Sequence, residues 1–80
     1  MATTDKVRDF IVDQLHWSGP REQLTDDYPL LENHVIDSLG LFRIVEFLES
    51  EFGVEIDDDA LLPANFATLT AIAELAERSR

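Results

Sequence analysis

Cysteine is absent from this chain of 80 residues. That excludes disulfides and a cysteine-built zinc site as the means of holding so small a fold together. Any thiol chemistry must therefore use a thiol supplied from outside the sequence. Basic residues are scarce: 6 Lys and Arg stand against 17 Asp and Glu, for a formal net charge of -11. Such a field repels DNA, RNA and anionic membranes and draws in basic protein surfaces. Taken alone, the charge needs no further reading than solubility. No apolar run reaches the roughly 20 residues needed to span a bilayer. The opening Met1-Ala2-Thr3-Thr4-Asp5 lacks both the basic head and the apolar stretch of an export signal. The expected compartment is the cytoplasm, with neither nucleic acid nor membrane as partner.

What is present suits one folded domain. Apolar residues make up 45% of the chain, ordinary for a globular protein and too many for a disordered tail. The length allows one modest core, and residues 1–80 read as a single domain without repeats or low-complexity segments. Thr4 is a plausible N-cap for a first helix. Val7, Phe10, Ile11 and Leu15 recur at helical spacing, and Gly19-Pro20 is expected to end that helix. A long connection from Gly19 to Ile36 follows. Pro20, Asp26-Asp27 and Pro29 argue against helix there, while Leu24, Tyr28, Leu30 and Leu31 suggest packing on the core. Loops of this length in compact domains are uncommon and often functional.

Asp37 opens a second helix that ends near Phe52, with Gly53 as its C-terminal cap. Leu41, Ile44, Val45, Leu48 and Phe52 share its core face. The alternation of Val54 and Ile56 about Glu55 is too short for a sheet and reads as a buried turn. A short third helix is expected between Asp59 and Phe66, with Asp57-Asp58-Asp59 as its solvated cap. Thr68 caps a last helix whose stripe is Leu69, Ile72, Ala73, Leu75 and Ala76. Arg78 and Arg80 sit at its negative end, where cations are favoured. The expected fold is all-α, a four-helix bundle of three longer helices and one short helix with a long first loop.

Asp37-Ser38-Leu39 carries the chemistry to be weighed. Asp and Ser both favour helix starts, because their side chains accept bonds from free backbone amides, so one reading of the pair is nothing more than a cap. With Asp37 as the cap, Ser38 falls in the first helical turn with its hydroxyl able to face solvent. A phosphodiester there would sit at the positive end of the helix dipole, near unpaired amides. His34, Asp37 and Ser38 are also the ingredients of a hydrolytic triad, but nothing in the sequence suggests an oxyanion site or a cleft. His34 reads instead as a surface loop residue. The calcium-loop pattern needs glycine sixth and glutamate twelfth. Counted from Asp57, these positions hold Leu62 and Thr68, and the match fails.

The stretch Val35-Ile36-Asp37-Ser38-Leu39-Gly40-Leu41 resembles the attachment motif of acyl and peptidyl carrier proteins. The resemblance continues through Glu49-Ser50-Glu51-Phe52-Gly53-Val54-Glu55-Ile56 and Pro63-Ala64-Asn65-Phe66. It implies that Ser38 bears a 4′-phosphopantetheine transferred from coenzyme A by a separate phosphopantetheinyl transferase. It further implies that Asp37 caps the helix and marks the site, and that Leu39 gives the transferase an apolar contact. The arm then supplies the missing thiol. Ile36, Leu39-Gly40-Leu41 and Asn65-Phe66 are most similar to free-standing carriers loaded by a separate ATP-dependent acyl or aminoacyl ligase. Such carriers serve condensing or tailoring enzymes in specialised polyketide or nonribosomal peptide biosynthesis, as monomers and without catalysis of their own.

Two departures bear on the subtype. Fatty-acid carriers usually present more acids early in helix two, where this chain has Gly40 and Arg43. Carriers embedded in synthetases usually have paired glycines where it has Asn33-His34. Leu39, Phe42, Arg43 and Glu46 are the candidate docking residues. Phe42 lies one turn beyond Ser38 on nearly the same face, and Phe47 is expected to pack under a loop. The rival reading is an acidic helical interaction module in which Asp37-Ser38 only caps a helix.

Overall fold

The computed structural model describes residues 3–15, 17 and 19–79. They form three α-helices, α1 (Thr3–Gln14), α2 (Ser38–Phe52) and α3 (Leu69–Arg78), and three single 3₁₀ turns. No strand is formed among the described residues. The expectation of four helices is corrected to three, because the short third helix is replaced by two 3₁₀ turns, Asp58–Ala60 and Pro63–Phe66. Pro63 explains the break. It has no amide proton to continue a helix and forces its predecessor into extended backbone, and Leu62 is extended at φ -102 and ψ 143. Asn65 Nδ2 bridges the two turns by donating to the Ala60 carbonyl at 2.8 Å. Asp57 stands at the head of the first turn, but its side chain makes no cap bond.

Helix α1 buries Val7 and Ile11 completely and half-buries Phe10, and Leu15 just beyond its end is half-buried too. Thr3 and Thr4 are already helical, so Thr4 lies inside the first turn and is not the cap. The helix also stops at Gln14, five residues before the Gly19-Pro20 stop. Beyond it Trp17 belongs to the loop. Its indole meets the Tyr28 ring edge-on at 5.2 Å, and Nε1 donates to the Pro20 carbonyl at 3.0 Å.

The long loop is sewn to both neighbouring helices. Leu24 and Leu30 are buried, and Tyr28 and Leu31 pack against the same core. On one side, Arg8 Nε donates to the Leu24 carbonyl at 2.8 Å, and the rest of its guanidinium engages Asp5 and Asp26. On the other, the Leu30 amide donates to the Ala67 carbonyl at 2.8 Å and the Thr70 amide to the Asp26 carbonyl at 3.1 Å. The chain reverses at His34, whose φ of 56 lies in the left-handed region. There the Val35 amide donates to the Leu30 carbonyl at 2.9 Å, and Val35 and Ile36 enter the core.

Helix α2 buries Gly40, Ile44 and Leu48 and ends at Gly53, where φ is 65 and the amide returns to the Glu49 carbonyl at 3.1 Å. The buried turn follows as expected: Val54 is buried, and the Ile56 amide donates to Glu49 Oε2 at 3.1 Å. Helix α3 is capped by Thr68, whose Oγ1 accepts from the Ala71 amide at 3.1 Å. All five stripe residues of α3 are buried. It packs on α1 more extensively than α2 does, with Phe66 fully enclosed beside it. Arg78 lies in its last turn, and Arg80 falls outside the described residues.

Candidate functional site

The head of α2 is built around one carboxylate. Asp37 is extended at φ -106 and ψ -171, and its Oδ1 accepts from the Gly40 amide at 2.7 Å. Its own carbonyl accepts from the Leu41 amide at 2.8 Å. That makes Asp37 the N-cap and Ser38 the first helical residue. Ser38 is exposed, so the cap and the free hydroxyl are carried by adjacent residues.

Gly40 lies in the same turn and is buried. A Cβ there would meet Asp37 Oδ1 at 3.3 Å, Ile36 Cγ2 at 3.6 Å and Leu15 Cδ1 at 3.7 Å. The helix start is thus drawn against the end of α1, and Gly40 faces inward. Its lack of charge is no surface feature, which corrects its reading as a missing acid at a docking face. Leu39 and Phe42 point outward instead, at 66% and 56% exposure. Leu62 joins them at 55%. Sequence reasoning missed Leu62 by drawing a helix through it; the residue before a proline is held extended, which was the available signal.

A cleft of about 280 Å³ opens beside Ser38, walled by Leu31, Ile36, Leu41, Leu61 and Pro63 together with Asp37 and Ser38. The other predicted residues fall elsewhere. Arg43 reaches back to α1, donating to the Gln14 carbonyl at 3.5 Å, and with Glu46 it lines a groove between α1 and α2. Phe47 does not lie under a loop. It stacks on Phe10 of α1 with ring centroids 4.4 Å apart, because the two helices run side by side there. His34 is exposed. One Asp37 oxygen is taken by the Gly40 amide, and no hydrogen bond joins His34, Asp37 and Ser38 among the described residues.

Residues 5–76 match the PP-binding family, described as the phosphopantetheine attachment site. The chain is 37% identical over 60 residues to the probable acyl carrier protein PigG of Serratia sp. (strain ATCC 39006), covering 75% of this chain and 69% of that protein. It is 41% identical over 59 residues to an acyl carrier protein of Nitratidesulfovibrio vulgaris (strain DP4), covering 74% and 75%. An acyl carrier protein of Lactococcus lactis subsp. cremoris (strain MG1363) is 40% identical over 60 residues, covering 75% and 78%. The chain belongs to the phosphopantetheine-attachment family. It acts as a carrier whose cargo rides on a covalently attached 4′-phosphopantetheine, and it works by meeting partner enzymes.

The head of α2 fits that group. A phosphodiester needs an accessible hydroxyl and positive potential, and an exposed first-turn serine at the positive end of a helix meets both needs. When bound, the group supplies the thiol that holds the cargo as a thioester.

Proposed function

We propose that Ser38 is the residue that bears the arm, and that residues 1–80 act as one carrier domain which presents a thioester without catalysing any step itself. The observation that carries this reading is the exposed Ser38 hydroxyl one position inside the Asp37 cap. In loading, Ser38 Oγ forms a bond to the phosphorus nearest the pantetheine of coenzyme A. The pyrophosphate bond breaks, the nucleotide half leaves, and the hydroxyl proton passes to a base of the phosphopantetheinyl transferase. Asp37 holds the helix start rigid during this encounter, and Leu39 offers the transferase an apolar contact.

Leu39 and Phe42 flank Ser38 as docking residues for the enzymes that act on the cargo, and Leu62, exposed between Leu61 and Pro63 of the adjoining cleft, offers a further apolar contact. Arg43 and Glu46 add polar docking contacts farther along α2. The names of the relatives favour an acyl cargo over an aminoacyl one, and an ATP-dependent ligase is the loading enzyme in this reading. Condensing or tailoring enzymes of specialised polyketide or nonribosomal peptide biosynthesis then take it. The basic Arg43 at the docking helix supports that assignment over general fatty-acid synthesis, whose enzymes read an acidic helix. We place the protein in the cytoplasm as a monomer with no nucleic acid or membrane partner. The charge of -11 supports this, and none of its described helices is long and apolar enough to cross a membrane.

Incubation with coenzyme A and a broad-specificity phosphopantetheinyl transferase should add one phosphopantetheine by intact mass, and peptide mapping should place it on Ser38. Modification of another serine, or none under conditions that load a control carrier, would refute the assignment.

A further inference from the structure

The seam between α1 and α2 carries an apolar floor that the arm site does not use. Phe10 lies nearly flat on Phe47, with planes inclined by 22°, and Phe52 meets Phe47 edge-on at 6.1 Å. Two adjoining clefts of about 420 and 280 Å³ open along this stack, and both are lined by Phe10, Gln14, Phe47 and Glu51. The two rings are only half-buried, so aromatic surface lies at the bottom of a groove.

The rim of the groove selects an occupant. Two of its carboxylates are already engaged: Asp9 by Arg21 Nε at 2.7 Å and Glu51 by Lys6 Nζ at 3.4 Å. Hydrogen bonding to Asp9 also raises the Arg21 guanidinium pKa above its ordinary value. Asp13 on α1 and Glu46 on α2 are both exposed and have no ion-pair partner among the described residues. They belong to the two walls of the groove, Asp13 to one cleft and Glu46 to the other. Lys6 and Arg43 also line these clefts, but the four carboxylates Asp9, Asp13, Glu46 and Glu51 outnumber them, so an apolar floor with a net acidic rim complements a strip of apolar side chains flanked by Lys or Arg. A second copy of this chain is a poor occupant, since it brings the same carboxylates and another eleven negative charges.

The floor of the groove stands clear of the arm, while Glu46, one turn beyond Phe42, lies at the edge it shares with the docking surface proposed above. Phe47 follows Ser38 by nine residues, about two and a half helical turns and roughly 14 Å along α2. The two therefore point to opposite sides of the helix, whereas Leu39 and Phe42 lie near Ser38. We propose that the α1/α2 seam is a second docking surface, seating a basic amphipathic helix of a partner protein while the head of α2 stays free for the enzyme acting on the cargo. A carrier held there meets that enzyme as a tethered reactant at raised effective concentration. The surface stands independently of the Ser38 assignment, because it can be read with or without the arm.

The test uses the full chain, isotope-labelled for NMR. The probe is a synthetic amphipathic Leu/Lys peptide about 15 residues long, with a Leu/Glu peptide of the same pattern as control. The Leu/Lys peptide should shift the amides of Phe10, Asp13, Gln14, Glu46, Phe47 and Ser50, equally in arm-free and arm-loaded chains, and the control should not bind. Asp13→Lys with Glu46→Lys should weaken binding about tenfold or more. Glu74→Lys with Glu77→Lys, the same change of net charge on exposed positions of α3, should weaken it far less. Equal weakening by both pairs would reduce the effect to the overall field and overturn the proposal. So would shifts confined to Leu39 and Phe42, or peptide-free dimerisation through the seam. The shift map is read on the unaltered chain and decides the case whatever the fold of any variant.

Discussion

Removing the Asp37 side chain separates what holds α2 from what it carries. In Asp37→Ala the Gly40 amide loses an acceptor at 2.7 Å. Gly40 is buried, so water replaces that acceptor poorly, and the cost falls in the upper half of the about 0.5–2 kcal/mol range for losing a cap. In a domain of this length each kcal/mol lowers Tm by about 4–8 °C. Asp37→Asn keeps an acceptor oxygen and gives up only the charge facing the helix dipole, about 0.3–1 kcal/mol at low salt. A chain at -11 gains from losing any carboxylate, so Glu74→Gln at an exposed position of α3 serves as the reference. Ser38→Ala should leave Tm unchanged or slightly raised, since alanine is the better helix former. Thermal melts by circular dichroism rank the four variants. Intact mass after treatment with transferase and coenzyme A shows that Ser38→Ala alone stays unmodified despite a normal fold. The reasoning fails if Ser38→Ala melts as early as Asp37→Ala, or if Asp37→Ala melts with the wild type.

Arg8→Met should destabilise the chain by about 1–3 kcal/mol in urea unfolding, chiefly through the Leu24 carbonyl left without its charged donor; the partners Asp5 and Asp26 are 41% and 57% exposed and add little. Gly53→Ala should cost about 1–2 kcal/mol by the same assay, because φ is 65 there while the space around a new Cβ is open, so only backbone strain acts. At His34, φ 56 makes Gly neutral or stabilising and Val destabilising by about 1–3 kcal/mol; equal melting temperatures for the two would show that the turn relaxes into another conformation.

The sequence carried the helices that own both a cap and a stripe. Asp37 with Gly53, and Thr68 with five apolar positions after it, mark α2 and α3 unambiguously, because capping and burial point the same way. It misled where a local signal competes with a tertiary one. Gly19-Pro20 is a sound stop, yet α1 ends at Gln14, and Trp17 packs on a tyrosine beyond the reach of any local window. The segment between Asp59 and Phe66 reads as a short helix, but Pro63 confines it to 3₁₀ turns. At the site, Ser38 and its cap were legible from adjacent residues. The inward position of Gly40 depends on Leu15, just beyond the end of α1, and the Phe10–Phe47 stack joins residues far apart in the chain, so neither leaves a mark in the local sequence.

The stitching of the first loop has a consequence for the birth of the molecule. Asp26 and Leu30 find their backbone partners at Thr70 and Ala67, and α1 rests mainly on α3. During synthesis, α1, the loop and α2 must therefore wait outside the ribosome, with Leu24, Leu30, Val7 and Ile11 uncovered, until α3 has cleared the exit tunnel. At about 5–20 residues per second the wait is a matter of seconds. Folding then closes in one event, because the early half of the chain has no finished core to fall back on.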